Sequence, residues 1–189
     1  MLEASHYVDS VLFEFRRYKT LGDHTFTQLT YPELLYRSND AENTIALIVK
    51  HMVGNMKSRW TNFLTEDGEK EWRNRESEFE SPYASKKELV SAWDSGWQCL
   101  FDALSQIDAT SFGNTIKIRG ESHSIVQAAH RQLAHYSYHV GQIVFLGKQL
   151  KKEQWQSLSI PKGGSEAFNQ TTFGLHKASN QPNKQRKKT

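Results

Sequence analysis

The run His135-Tyr136-Ser137-Tyr138-His139 places two imidazoles four residues apart in a segment whose apolar spacing reads as helix. At roughly 100° and 1.5 Å per residue, side chains at i and i+4 stand about 40° apart around a helix and about 6 Å apart along it. Both rings then reach one cation. Such a pair begins a zinc or nickel site without completing it, since a catalytic zinc takes three protein ligands and keeps one position open. The third ligand has to come from another segment.

The helix that carries this pair runs from about Ser122 to Leu150, with Ile125, Ala129, Leu133, Tyr136, Val140, Ile143 and Gly147 as its apolar stripe. In projection His135 and His139 fall on one shoulder of the stripe beside Ala128, Gln132 and Leu146, whereas His123 and His130 fall on the other. Only the first pair is aligned for joint coordination. His51 lies on a different helix, between Leu47 and Ile48 in projection and turned away from Lys50 and Lys57, with Asn55 one turn further on. The projection leaves two readings open, a donor facing a cleft between helices and a hydrogen-bonded interior histidine.

These positions need a scaffold, and the periodicity supplies four helices. Val8, Val11, Leu12, Phe15 and Tyr18 mark the first, which continues weakly through Phe26 and Leu29 until Pro32. Ser38, Asn39 and Asp40 are N-cap candidates for the second, whose stripe is Ile45, Val49, Met52, Met56, Trp60 and Phe63. From Glu66 to Tyr83 the pattern gives way to a long charged segment with Trp72 and Phe79 embedded, the kind of connection that forms a lid or an ordered surface loop. Ser85 and Glu88 make a capping-box pair ahead of a third helix with Leu89, Trp93, Gly96, Leu100, Leu104 and Ile107. Thr115 to Arg119 alternates polar residues with isoleucine but has no obvious partner strand, so it reads as a local extended excursion. The expected class is all-α, an antiparallel four-helix bundle with a long charged loop between the second and third helices. The bundle domain takes residues 1–165, and its irregular C-terminal extension passes into a polar, basic, flexible tail at 166–189.

Composition narrows the classes of function. A chain of 189 residues with five Trp, seven Tyr and ten Phe can bury a substantial core despite an apolar fraction of 37%. There is no run of about 18 apolar residues for a membrane span, and the start is acidic and polar, so a cytoplasmic location is expected. The net charge of +3 belongs to the end of the chain, where Lys177, Lys184, Arg186, Lys187 and Lys188 stand without an acid and leave a slightly acidic body. That distribution argues against specific nucleic-acid binding. Cys99 is the one cysteine and reads as a small packed residue without chemistry.

Several motifs together resemble the DinB/YfiT-like superfamily. They are a helix with a single histidine in Lys50-His51-Met52-Val53-Gly54-Asn55 and a last helix with His135-Tyr136-Ser137-Tyr138-His139-Val140-Gly141-Gln142. More narrowly, Trp72-Arg73-Asn74-Arg75 with Glu78-Phe79, Ile118-Arg119-Gly120-Glu121 and Leu158-Ser159-Ile160-Pro161-Lys162-Gly163 resemble a bacterial branch whose function is unassigned. The resemblance covers about residues 5–165. It implies a four-helix bundle in which His51, His135 and His139 bind a divalent metal, zinc or nickel, with waters at the open positions.

The same resemblance implies a reaction, because several relatives are transferases or isomerases dependent on bacillithiol, mycothiol or a similar small thiol. The leading expectation is therefore a thiol transferase acting on a small electrophile, with Asn55 and Gln142 as candidate hydrogen-bond donors behind the ligands. Arg75 and Arg119 are candidates to pair with a carboxylate of the thiol, against the alternative of ordinary surface ion pairs. Two other classes stay open. A metal-dependent hydrolase of a small substrate is one, though not an H-E-x-x-H protease, because Tyr136 stands where that motif needs its glutamate. The other is a non-enzymatic, stress-linked bundle that acts as a homodimer.

Overall fold

The computed structural model describes residues 4–80 and 82–179. It divides into two units after Trp155. The first unit holds α1 (Ala4–Gln28), α2 (Tyr31–Leu34), α3 (Ile45–Trp60), α4 (Lys86–Ser105), β1 (Thr115–Ile118), β2 (Glu121–Ser124) and α5 (Ile125–Lys151). The second holds α6 (Ser165–Ser179). Among the described residues the protein is thus all-α apart from one small hairpin. No helix among the described residues is long and apolar enough to cross a membrane.

In the first unit α3 packs on α4 and α5, and α1 packs on the same two. The core between them is strongly aromatic. Phe15 of α1, Trp93 and Trp97 of α4 and Tyr136 of α5 are all essentially inaccessible to solvent. Their rings meet at tilted or edge-to-face angles, with centroids 6.1 Å apart for Phe15 and Trp97 and 5.7 Å apart for Trp97 and Tyr136. Close approach of α1 to α4 depends on Gly22, since a Cβ there would stand 2.5 Å from Cζ2 of Trp93. The weak continuation of the first stripe is therefore real helix, buried through Phe26.

Three local expectations need correction. The second long helix starts later than Ser38, Asn39 or Asp40 suggested, because Thr44 caps it by accepting from the Leu47 amide at 3.1 Å. Ser38 and Asn39 instead bond to the Glu42 carboxylate in the preceding turn. The Thr115–Arg119 segment does have a partner strand: β1 pairs antiparallel with β2 from Thr115↔Ser124 to Ile118↔Glu121. Arg119 and Gly120 join the strands with φ of 57° and 78°, the two positive values that a type I′ turn requires. Both turn amides donate to Asp67, at 2.8 and 2.7 Å, so the hairpin is held from the charged segment after α3. Finally, a helix, α6, occupies much of the extension expected to be irregular. The tail residues Lys184, Arg186, Lys187 and Lys188 lie outside the described residues.

Ser85 caps α4 as expected, accepting from the Glu88 amide at 3.1 Å. The charged segment before it is pinned to the end of α3. Ser58 donates to the Gly68 carbonyl at 2.8 Å, Arg59 donates to the same carbonyl, and the Lys70 amide donates back to Ser58 at 3.2 Å. Within this segment Glu76–Phe79 forms a 3-10 turn that packs against α3. That contact sets up the site.

Candidate metal centre

His51 on α3 and His135 and His139 on α5 converge, one ring nitrogen from each lying within 4.8 Å of the others. Nε2 of His135 stands 3.4 Å from Nε2 of His51 and 3.1 Å from Nε2 of His139. Four ligands arranged tetrahedrally at zinc–nitrogen distances of about 2.05 Å stand about 3.3 Å from one another. The spacing matches that of a shared ion. His51 is buried, and the other two are half-buried.

Hydrogen bonds on the far side of two rings decide which nitrogen is bare. His51 Nδ1 lies 2.8 Å from Oε2 of Glu78, and His139 Nδ1 lies 2.9 Å from Oε1 of Gln142. Both partners are acceptors, so each ring carries its proton on Nδ1 and turns the Nε2 lone pair inward. Carboxylate and amide oxygens behind metal-bound histidines orient them in this way and raise their basicity. Burial, together with the neighbouring His139 and His51 rings, pushes the His135 imidazole down to about 3, and burial also lowers His139. The three donors converge, and the arrangement could hold a divalent cation. Hydrogen bonding among the three Nε2 atoms alone would leave lone pairs facing one another.

Gln142, expected as a donor, meets the His139 ring through its oxygen, and Asn55 bonds elsewhere. Asn55 Oδ1 accepts the Tyr136 hydroxyl at 3.0 Å, and that hydroxyl accepts from Trp60 Nε1 at 3.3 Å. This chain ties α3 to α5 through the residue between the two ligand histidines, and burial raises the Tyr136 phenol, keeping it neutral. Asn55 fixes the spacing of the helices that carry the rings and leaves the rings themselves to others.

Sequence reasoning quoted Arg73 and Glu78 within a family motif but gave neither a role at the site. Burial on its own would raise the Glu78 carboxyl, but the hydrogen bonds from His51 and Arg73 outweigh it and hold the group ionised. Arg73 reaches both carboxylate oxygens, Nε to Oε1 at 2.8 Å and Nη2 to Oε2 at 3.1 Å. This fork is buried, with Arg73 and Glu78 side chains only 2% and 6% exposed. Phe79 stacks on His51 with centroids 5.0 Å apart. Gly54 makes room for the carboxylate, since a Cβ there would collide with Oε1 of Glu78. A glycine in mid-helix three residues after a candidate ligand was the available signal.

A cavity of about 250 Å³ adjoins the cluster, with His51 and His135 in its wall. Arg75 and Arg119, the expected anion-binding arginines, both border it. Arg119 Nε is paired with Glu69 at 2.8 Å, while Arg75 sits over the Phe79 ring at 5.4 Å and near the exposed Glu76. Arg59, Arg73, Arg131 and Gln132 also line it, and none of these was anticipated as a site residue.

No curated protein and no solved structure matches the chain. The match to a known family spans residues 3–164 and so includes every residue of the site. The chain belongs to the family described as "Protein of unknown function (DUF1572)".

Proposed function

We propose that His51, His135 and His139 hold a divalent metal, zinc or nickel, in a DinB-like four-helix bundle, and that the centre serves transfer of a low-molecular-weight thiol of the bacillithiol type to a small electrophile. The observation that carries this reading is the inward convergence of three Nε2 atoms, with acceptors at Glu78 and Gln142 behind two of the rings. An ion bound there supplies Lewis acidity, which lowers the pKa of a thiol or water at its open positions.

The protein's own share is orientation and charge balance. Glu78 is the one carboxylate behind the rings, and Arg73 neutralises it, so the histidines present no net negative charge that would blunt a cation. Arg75 and Arg119 border the adjoining cavity, where a carboxylate of the thiol would lie. In the transfer the sulfur electron pair forms the new S–C bond, the thiol proton passes to solvent, and the leaving group departs with its bonding pair. Holding both partners in one cleft converts an encounter of two molecules into a reaction within a complex.

Elemental analysis of the protein purified without a histidine tag tests the first half. A stoichiometric transition metal that is lost in His135→Ala is expected, and its absence from the unaltered protein ends the proposal. A thiol-consumption assay with the metal-loaded protein and a panel of electrophiles tests the second half. Turnover without thiol would identify a hydrolase instead. A bound metal with neither activity would leave a structural ion in a non-enzymatic bundle.

A further inference from the structure

The wall of the 250 Å³ cavity carries five guanidinium groups and no carboxylate. Arg59 comes from α3, Arg73 and Arg75 from the segment after it, Arg119 from the hairpin turn and Arg131 from α5. Four parts of the chain bring like charges to one small space, an arrangement that costs free energy unless something negative enters it.

The surrounding acids absorb only part of this charge, and the exposed Glu76 lies 3.6 Å from Arg75. Arg73 is engaged by Glu78, and the single carboxylate of Glu69 serves Arg59 at 3.0 Å and Arg119 at 2.8 Å and lies 3.8 Å from Arg73. Asp67 turns its oxygens to backbone amides of the hairpin turn and of Glu69. Among the described residues Arg131 has no carboxylate partner, and its Nη1 lies 3.4 Å from His123 Nε2.

Two residues of the same wall each carry a buried atom that has no hydrogen-bond partner among the described residues. Nε of Arg59 is a donor without an acceptor, and Oε1 of Gln132 is an acceptor without a donor. Both residues are more than nine-tenths buried, Arg59 at 5% and Gln132 at 3% exposure. Burial also lowers the Arg59 guanidinium. An unpaired buried polar atom costs about 1–3 kcal/mol, so two of them beside one cavity describe a partner that is brought in. That partner must accept from arginine and also donate to an amide oxygen. A phosphate group with one proton does both, and so does a carboxylate next to a hydroxyl. The volume corresponds to about eight waters at bulk density, enough for such a group on a few-carbon body.

We infer that this cavity is an oxyanion subsite in which Arg59, Arg131 and Gln132 grip the phosphate or carboxylate end of a small substrate while its other end reaches the histidine cluster. The inference rests on the proposed function only for what happens at that other end. The grip itself belongs to the arginines and needs no metal.

Calorimetric titration of the full-length, chelator-stripped protein with inorganic phosphate, with malate and with the neutral malamide tests the grip. Saturable one-to-one binding of phosphate or malate is expected, weakening as salt rises, with no binding of malamide. The better of the two anions identifies the source of the charge. Arg131 is exposed, so Arg131→Gln keeps the fold and should weaken anion binding about tenfold, the worth of one charge-assisted hydrogen bond, while Lys148→Gln leaves it unchanged. Absence of saturable anion binding, equal binding of malamide, or unaltered affinity in Arg131→Gln would each overturn the inference. In His135→Ala the anion should still bind although the metal is lost. Failure of the metal reading and failure of the anion reading are thereby separated.

Discussion

Replacing Glu78 by glutamine keeps the shape of the side chain and removes the feature on which the histidine cluster relies. The carboxylate serves three donors: Oε2 takes His51 Nδ1 at 2.8 Å and Arg73 Nη2 at 3.1 Å, and Oε1 takes Arg73 Nε at 2.8 Å. An amide has one accepting oxygen. If that oxygen turns to Arg73, the NH₂ group faces His51 and drives its proton from Nδ1 to Nε2, into the space a cation would fill. If it turns to His51, Arg73 Nε confronts a donor, and the buried guanidinium keeps only its Nη2 contact to that oxygen, now a neutral amide, and Glu69 at 3.8 Å. Loss of such an oxygen behind a ligand histidine costs about ten- to a hundredfold in metal affinity, or about 1.4–2.7 kcal/mol. Depriving a buried arginine of its carboxylate costs about 3 kcal/mol of folding stability in the metal-free protein. Competition with a chromophoric chelator measures the first quantity and urea unfolding of the stripped protein the second. Glu76→Gln, on the same turn but 83% exposed, is the control and should change neither. A folded Glu78→Gln protein that binds zinc as tightly as the parent would refute the claim that this carboxylate sets the His51 tautomer.

Two further outcomes follow from the same geometry and from the core. Gly54→Ala should destabilise the protein by about 1–3 kcal/mol, because the added methyl displaces the Glu78 carboxylate, even though alanine is favoured over glycine in a helix by about 1 kcal/mol. In a Glu78→Ala background the sign should reverse, and urea unfolding across the four-protein cycle measures the coupling; equal destabilisation in both backgrounds would disprove the collision. At alkaline pH, burial raises Tyr7 and Tyr83 to about 12 from 10.0, with Glu88 and Glu78 adding to the effect at Tyr83. Between those values the unfolded chain has lost protons that the folded chain keeps, so stability present below pH 10 should fall as pH rises through 12. Tyrosinate absorbance of the native protein should lag that of the urea-unfolded chain over this window, and coincident curves would contradict the assignment.

How much of this could be read from the sequence depended on whether the relevant geometry was local. The His135–His139 alignment and the Gln142 contact sit within one helix, where spacing alone sets direction. The apolar stripes likewise located the long helices, since burial of Leu89, Trp93 and Leu100 follows directly from their period. Strand β2 was invisible because Glu121-Ser122-His123-Ser124 has no apolar alternation and owes its position to Asp67, more than fifty residues earlier. Glu78 was equally hidden. It stands 27 residues from His51 in a stretch rich in acids, and the motif that contains it says nothing of which side chain it meets. Convergence of His51 with the other two histidines needs the register of α3 against α5, which only the family resemblance anticipated.

One signal was nevertheless present in α3. His51, Gly54, Asn55, Ser58 and Arg59 recur at steps of three and four, so a polar stripe runs along a helix that also has an apolar one. His51, Asn55, Ser58 and Arg59 are all buried. A helix exposing such a stripe to water would be unremarkable, but burying it is expensive unless each group finds a partner. The partners come mainly from the charged segment after α3: Glu78 for His51, Gly68 and Lys70 for Ser58, and Glu69 for Arg59, with Tyr136 of α5 meeting Asn55. That segment therefore acts as the second wall of the site and the source of its charges, and a free lid could not satisfy those groups. Departures from an apolar interior concentrate where α3, α5 and this segment meet, as expected where local stability has been given up for chemistry.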